Sequence, residues 1–478
     1  MTAVCPDGLV AIVKRDCPTC ALVAPVLAQL RASGVRLAVY TQDDRTFPSG
    51  LDPIDDASLE VSFRLGVETV PTLLRMSGGK EEARAVGWSR AQWEELTGVR
   101  GLGLSLPPQR PGCGSLSVDP ARADALAVRF LGGKLASRRI ELASQEDEIE
   151  ALFDRGWSDG LPLVPPTEAR VLRMLAGTSR EPDEVVAVAP PDLVEVTVEK
   201  AAINAVMAGC KPEYFPVVLA ALEAACTDEF NMHGLLATTM PVGPVVVVNG
   251  PIRRAIGMNS GVNVLGQGNR AGLTIGRALQ LVIRNVGGGR PGEVDRATHG
   301  SPGKLSLCFA EDEERSPWEP LAVERGCARG ASAVTLFAGE GTRCIVDQLS
   351  RTAESLAASF AVNLRALHHP KLALGFDAML VVGPEHARVF RKAGWSKARL
   401  IEELHARLQL PGAEVVRGAG GIAEGLPAHF RDATVPKFRQ GGLLVVHAGG
   451  SAGLFSEIIG GWINGETGSQ PVTREITR

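Results

Sequence analysis

The chain has 478 residues, more than a single hydrophobic core usually organises, so two to four domains are expected. Hydrophobic residues at 45% and charged residues at 22% are typical of an ordinary soluble globular protein. The net charge of −4, with basic residues scattered along the chain, argues against a nucleic-acid partner.

The sequence also bears on the compartment and on the use of its cysteines. No apolar run is long enough to span a bilayer, and the N-terminus lacks the basic and apolar regions of a secretory signal. We therefore expect a cytoplasmic protein without a membrane partner. Because that compartment keeps thiols reduced, the nine cysteines are interpreted as redox, catalytic or buried thiols rather than as a disulfide framework.

Residues 1–100 are predicted to form the first domain, with a dithiol motif near its start. An apolar segment at 9–14, predicted to be a strand, leads into Cys17-Pro18-Thr19-Cys20, and apolar residues at helical spacing follow over 21–32. Unpaired N–H groups at a helix N-terminus stabilise a thiolate, so Cys17 is the expected nucleophile, exposed at the end of the strand. Cys20, one turn further, is placed as the resolving thiol.

The predicted βαβαββα order, together with the C-x-x-C motif and Thr69-Val70-Pro71-Thr72, resembles the thioredoxin fold. The resemblance implies that Pro71 is a cis-proline facing the dithiol. It also implies that Cys17 attacks a target disulfide and that Cys20 releases the product. The sequence departs from the family at Asp16, which replaces the usual aromatic residue, and at the two residues between the cysteines.

A zinc site is the alternative interpretation of the C-x-x-C motif. It requires a second pair of ligands. Cys5 does not supply one convincingly, and residues 1–232 contain no histidine. The redox interpretation is therefore favoured.

Residues 101–140 are predicted to be a mobile linker rich in glycine and proline. Cys113 lies between two glycines in this segment, and we expect it to be accessible. Two interpretations stay open. Cys113 shuttles between the dithiol and a distant site, or it is a linker cysteine without a role.

A central α/β body is predicted for residues 141–322, and its main candidate is Cys210. A helical run over 198–208 stops at Gly209, and Cys210 and Lys211 then precede a second helix. The neighbouring cation and the following helix N-terminus both favour a thiolate, so Cys210 is predicted to be a reactive nucleophile. A buried structural cysteine is the alternative. His233, in a later loop, is a candidate base for Cys210.

Other candidates are polar residues at strand ends, at helix starts or within helices. They are Asn204, Asn249, Asn269, Arg277, Asp295, His299, Glu385 and His386. Asn269 is expected to cap a helix after a glycine-rich loop whose amides form an anion site. Arg277 is expected to bind a carboxylate or to reach solvent. The acidic run 311–314 is typical of a solvated face, although one member is placed to point into a pocket.

A C-terminal α/β domain is predicted for residues 323–478. An apolar strand at 443–446, a glycine-rich turn and a predicted helix at 454–462 together form a potential anion cradle. Glu385 and His386 follow another buried strand and are acid–base candidates. Repeated alternation of strands and helices predicts a fold of the α/β class with mostly parallel sheets.

Three segments of the body, at 157–167, 204–210 and 275–279, resemble a poorly characterised bacterial family. That family is linked with (seleno)proteins bearing a U-G-S-C motif and with organometal-processing gene sets, and the resemblance covers residues 145–478. The nearest match to U-G-S-C is Cys113-Gly114-Ser115, which lies outside that region. The resemblance implies a reactive sulfur site kept in a reduced state, without a defined substrate.

These observations predict a thiol-dependent oxidoreductase or lyase in which Cys210 acts on a small molecule at a soft atom such as sulfur or a metal. Cys17 and Cys20 would regenerate it with electrons from a thioredoxin reductase or a low-molecular-weight thiol. A soft metal ion held by thiolates and a homo-oligomer are further alternatives. Two other classes stay open: a non-catalytic thiol carrier or sensor, and a cysteine-independent hydrolase or lyase using His, Asp and Glu groups.

Overall fold

A computed structural model describes residues 5–143, 146–464 and 468–477. The chain divides into two compact units, the first ending at Leu135 and the second beginning at Ala136. This division differs from the predicted one, which placed boundaries near residues 100, 140 and 322. None of the helices in the described ranges is long and apolar enough to cross a membrane.

The first unit contains nine strands and four helices among its described residues. The strands are β1 Gly8–Val13, β2 Leu37–Thr41, β3 Ile54–Asp55, β4 Thr69–Val70, β5 Thr72–Ser77, β6 Lys80–Val86, β7 Trp88–Ser89, β8 Gln109–Arg110 and β9 Cys113–Gly114. The helices are α1 Pro18–Ala32, α2 Glu60–Arg64, α3 Arg90–Thr97 and α4 Pro120–Leu131.

Five of these strands form one sheet in the order β3-β2-β1-β5-β6. The central β1 runs parallel to β2 and antiparallel to β5, and its residues after Gly8 are buried. After four intervening residues, helix α1 starts at Pro18, because a proline's missing N–H group has no cost at the first helical position. The dithiol therefore lies at the end of the central strand.

The prediction of a mobile linker at residues 101–140 is wrong. Most of residues 101–140 belongs to the first unit, where β8 pairs with β7, β9 pairs with β4, and α4 follows. Glycine allows the close approach, because a Cβ at Gly112 would lie 2.5 Å from the carbonyl oxygen of Val70. The composition predicted a mobile connector because it does not reveal that these residues pair with strands of their own unit.

The second unit contains eleven strands and twelve helices among its described residues. The strands are β10 Val185–Ala189, β11 Val194–Thr197, β12 Gly243–Asn249, β13 Cys308–Ala310, β14 Ala333–Val346, β15 Phe376–Val382, β16 Gln409–Pro411, β17 Thr434–Pro436, β18 Leu443–His447, β19 Phe455–Ile463 and β20 Val472–Glu475. The helices are α5 Glu148–Asp154, α6 Glu168–Leu175, α7 Val198–Ala208, α8 Phe215–Ala225, α9 Met232–Ala237, α10 Ile252–Ala255, α11 Arg270–Asn285, α12 Leu321–Glu324, α13 Ala353–Arg365, α14 Pro384–Lys392, α15 Lys397–Arg407 and α16 Gly412–Val415.

One seven-stranded sheet organises this unit, in the order β13-β12-β14-β19-β15-β18, with β20 also paired to β14. The sheet contains strands from both sides of residue 322, so the predicted two-part body forms a single unit. Both of its faces are covered. Met379 and Val381 belong to one apolar cluster, whereas Leu380 and Val382 belong to another, as alternation along a strand requires.

The α/β class is confirmed, but the prediction of mostly parallel sheets is wrong. In the large sheet only β12–β13 and β15–β18 are parallel pairs, and the other four pairs are antiparallel. The predicted helix at 454–462 is strand β19, which lies between β14 and β15. Its β-branched Ile458 and Ile459 favour a strand. The glycine-rich turn after β18 therefore leads to a strand and has no helix N-terminus with which to bind an anion.

Candidate functional site

The dithiol lies where strand β1 passes into helix α1. The Cys17 side chain caps the helix, and its Sγ accepts a hydrogen bond from the backbone N–H of Cys20 at 3.3 Å. The same Sγ lies 3.5 Å from the carbonyl oxygen of Val70. The Val70–Pro71 peptide bond is cis, as the resemblance implied. Cys17 itself is only 1% exposed, so the expectation of an exposed thiol was wrong.

The two thiols of the motif have opposite electrostatic environments. Burial opposes ionisation of Cys17, but hydrogen bonds from the Cys113 thiol and from the groups at the helix start outweigh it and lower the pKa of Cys17. Burial raises the pKa of Cys20 strongly, and the neighbouring Cys17 raises it further. A thiolate at Cys17 with a neutral thiol at Cys20 is the arrangement that nucleophilic attack followed by resolution requires.

Cys113 is the third thiol of this cluster. Strand β9 places it opposite Val70, next to the cis-proline. The Thr19 hydroxyl donates to the carbonyl of Pro111 at 2.7 Å, and Lys14 Nζ donates to the carbonyl of Gly114 at 2.9 Å. Hydrogen bonding with Cys17 raises the pKa of Cys113, the opposite of its effect on Cys17. Cys113, for which a shuttle role was one of two predictions, is thus a partly buried thiol held beside Cys17 and Cys20.

We expect the Cys113→Ala variant to shift the ionisation of Cys17 to higher pH. The Cys113 S–H stabilises the Cys17 thiolate, so its loss raises the pKa of Cys17 and leaves less thiolate at neutral pH. The measurement is the rate of Cys17 alkylation by iodoacetamide against pH, followed by peptide mass spectrometry. Cys113→Ser retains a donor and should shift the midpoint less than Cys113→Ala. An unchanged midpoint in both variants would contradict the assigned hydrogen bond.

The structure corrects the prediction for Cys210. The corner has the expected shape, with Gly209 at φ 88° between α7 and the helical segment that follows. However, the Cys210 thiol is buried and donates to the carbonyl of Thr274 at 3.3 Å. Burial raises its pKa to about 12 despite that hydrogen bond and the nearby Arg270 and Arg277. Cys210 is therefore a protonated thiol near neutral pH and not the predicted thiolate. Its burial fits the alternative prediction of a structural cysteine.

The residues predicted to assist Cys210 do not form a site with it. Lys211 and His233 are both exposed. Neither is among the hydrogen-bond and charge partners found for Cys210 in the described residues, which are Thr274, Arg270, Arg277, Tyr214 and Cys308. Asn204 is buried on α7. It accepts from the side-chain amide of Asn285 at 3.0 Å and donates to the carbonyl of Lys200 at 2.9 Å. Asn204 therefore links α7 to α11.

Three other candidates have structural partners. Arg277 makes two 2.7 Å hydrogen bonds to the carboxylate of Asp159, so it binds a carboxylate of the protein itself. Asn269 caps α11 by accepting from the backbone N–H of Gly272 at 2.9 Å, as expected. Asp295 pairs with Lys304 at 2.6 Å, whereas the side chain of His299 is exposed.

Glu385 and His386 hold loops around the end of β15. Glu385 accepts from the backbone N–H of Gly453 at 3.0 Å. His386 is buried, and its ring nitrogens lie 2.8 Å from Ser456 Oγ and 3.0 Å from the carbonyl oxygen of Asp347. Burial lowers the pKa of His386, so the ring is neutral near pH 7. Both side chains are engaged by the protein itself rather than directed together at one site.

Asn249 lies in a polar cluster at the carboxyl ends of the parallel strands β12 and β13. Its amide nitrogen donates to Glu311 at 2.7 Å and to Glu313 at 2.9 Å. Glu311 is fully buried, and burial raises its pKa. His447, also buried, ends the nearby strand β18 with Nε2 3.9 Å from the carboxylate of Asp312. The 311–314 run is therefore not a simple solvated face. The position of this run directly after a buried strand was the feature of the sequence that could have predicted a buried polar cluster.

The described ranges contain no group of three or more His, Cys, Asp and Glu side chains arranged to hold a metal ion. Thiolate binding of a soft metal stays a prediction. No model of a known protein family, no curated protein and no solved structure matches this chain. Its function is therefore inferred from the residues of the two units.

Proposed function

We propose that the first unit performs thiol–disulfide exchange with Cys17 as its nucleophile. The observation that best supports this function is the position of Cys17 at the start of α1, where its Sγ accepts the backbone N–H of Cys20 at 3.3 Å. The pKa of Cys17 is lowered there, whereas burial raises the pKa of Cys20. Exchange requires a thiolate that attacks and a second thiol that stays protonated until it is needed. The cis-Pro71 beside the pair matches the thioredoxin resemblance.

The reaction proceeds in two steps. The Cys17 thiolate attacks a disulfide, a bond forms between Cys17 and one substrate sulfur, and the other substrate sulfur leaves as a thiolate that takes up a proton. Cys20 then loses its proton and attacks Cys17, which releases the second substrate thiol. The substrate gains two electrons and two protons in total, and a Cys17–Cys20 disulfide remains. A low-molecular-weight thiol or a thioredoxin reductase in a reducing, cytoplasmic setting would restore the dithiol.

Access to Cys17 depends on the segment around Cys113. Strand β9 covers the cis-proline edge through two residue pairs, and the hydrogen bonds to the carbonyls of Pro111 and Gly114 hold it there, so a substrate must displace this segment to reach Cys17. Cys113 is more exposed than Cys17 and already lies within hydrogen-bonding reach of it. An incoming sulfur would take the position of the Cys113 thiol. This arrangement replaces Cys210 with Cys17 as the reacting sulfur, and it does not require a soft metal.

The test traps the first intermediate. The full-length Cys20→Ser, Cys113→Ser double variant lacks both neighbouring thiols, so glutathione disulfide should leave one glutathione on Cys17, located by peptide mass spectrometry. The matched control, Cys17→Ser with Cys113→Ser, should carry no adduct at Cys20, because the Cys20 pKa is raised. An adduct on Cys20 in the control, or none on Cys17 in the double variant, would overturn the proposal.

A further inference from the structure

The dithiol motif and Cys113 differ in their access to solvent. Cys17 is 1% exposed and Cys20 is 0% exposed, so a disulfide between them would be enclosed by the first unit. Cys113 is partly exposed, and its thiol forms a hydrogen bond with that of Cys17. Of these three thiols, Cys113 is therefore the one that a small thiol in solution can reach without displacing strand β9.

The contacts of strand β9 place Cys113 beside Cys17. Val70, the residue paired with Cys113, has its carbonyl oxygen 3.5 Å from Cys17 Sγ. Lys14 Nζ donates at 2.9 Å to the carbonyl of Gly114, the residue that follows Cys113. The two thiols therefore lie beside the same residue of strand β4, with an ammonium group nearby.

The oxidation state of Cys17 determines which charges act on Cys113. With Cys17 reduced, hydrogen bonding with its sulfur is the largest influence that raises the pKa of Cys113, and the Cys17 charge raises it further. Both influences disappear when Cys17 is part of a disulfide, because a disulfide sulfur carries no charge. The Lys14 ammonium and the backbone N–H of Thr19 then lower the pKa of Cys113 against the remaining effect of burial. Oxidation of the dithiol therefore favours the Cys113 thiolate.

We infer that Cys113 transfers reducing electrons from a small thiol in solution to the Cys17–Cys20 disulfide. The inference rests on the exchange function proposed for Cys17, and it concerns how that site is reset. Cys113 meets both requirements of such a transfer, because it contacts Cys17 and is also partly exposed. Its thiol is a weak nucleophile while Cys17 is reduced, so it does not compete with Cys17 for the substrate.

The transfer has three steps. The Cys113 thiolate attacks Cys17 Sγ, so a Cys17–Cys113 bond forms, the Cys17–Cys20 bond breaks, and Cys20 leaves as a thiolate that takes up a proton. A low-molecular-weight thiol, as its thiolate, then attacks the Cys113 sulfur and releases Cys17. A second such thiol removes the adduct from Cys113. Two external thiols are oxidised to one disulfide, and the protein gains two electrons and, with Cys17 counted as a thiol, two protons.

The first test traps the Cys17–Cys113 bond. The full-length Cys20→Ser variant lacks the resolving thiol, so glutathione disulfide should form an adduct on Cys17, from which Cys113 then displaces glutathione. We expect peptide mass spectrometry under non-reducing conditions to find most of Cys17 joined to Cys113. The Cys20→Ser, Cys113→Ser double variant should keep the adduct instead. An adduct that persists in both variants would overturn the transfer and leave the exchange function intact, whereas an unmodified Cys17 in both would overturn the two proposals together.

The second test measures the reset itself. Each full-length protein is oxidised with glutathione disulfide, freed of the reagent and reduced with glutathione, while its Cys17–Cys20 disulfide is followed by peptide mass spectrometry. We expect Cys113→Ser to slow this reduction by about tenfold or more. Cys344→Ser, the matched control at an exposed cysteine of the second unit, should leave the rate unchanged. Equal rates in wild type and Cys113→Ser would overturn the inference.

Discussion

Replacement of Cys17 by serine is expected to slow disulfide reduction by the full-length protein by about two orders of magnitude or more. A serine hydroxyl does not ionise near neutral pH, whereas the thiolate is the form of cysteine that attacks a disulfide. The Cys17 pKa is lowered, so the wild-type rate should rise to a plateau at a lower pH than that of an ordinary thiol. The measurement is the release of glutathione from glutathione disulfide by pre-reduced protein.

The matched control is Cys210→Ser, for which we expect a rate within about twofold of wild type. The Cys210 thiol is buried with a pKa raised to about 12, and serine can keep the hydrogen bond to the Thr274 carbonyl. If Cys210→Ser also abolished the reaction, the role originally predicted from the sequence would return. Equal rates in wild type and Cys17→Ser would instead exclude the dithiol as the reacting group.

The largest expected effect on stability is that of Arg253→Met. The guanidinium is nearly buried, pairs with Glu313 at 3.0 Å and Glu314 at 2.9 Å, and donates to the carbonyls of Gly250 and Glu311. Methionine would leave the two backbone carbonyls without this donor and would remove one partner from each carboxylate. Loss of one partner of a fully buried ion pair costs about 3–5 kcal/mol, which is an upper bound here because the Glu313 and Glu314 side chains are 20% and 37% exposed. We expect the urea midpoint of the second unit to fall by about 1 M or more.

Arg254→Met is the control for this prediction, with the same substitution one residue away. Arg254 is 70% exposed and pairs only with Glu314 among the described residues. An exposed pair contributes about 0.5 kcal/mol or less, so its midpoint should hardly move. Equal shifts in the two variants would contradict a larger contribution of the buried guanidinium to the stability of the second unit.

Features that depend on residues adjacent in the sequence could be predicted without the structure. The C-x-x-C motif at a strand-to-helix junction, the turn at Gly209 and the Asn269 cap each follow from the conformational preference or hydrogen bonding of a few consecutive residues. The α/β class followed from the alternation of apolar segments. The prediction for strand β19 was wrong because a short apolar run fits either a helix or a strand until its neighbours β14 and β15 are known.

The chemistry of the thiols was decided by the tertiary structure. From local sequence Cys210 had every feature of a thiolate, but packing of α11 against its corner removes water from it, and desolvation outweighs the nearby positive charges. Cys113 looked mobile until strand β9 placed it against Val70, where it stabilises the Cys17 thiolate. The sequence by itself determined which residues could ionise. Only the folded chain determined which of them do, because desolvation and hydrogen bonding come from residues distant in the sequence.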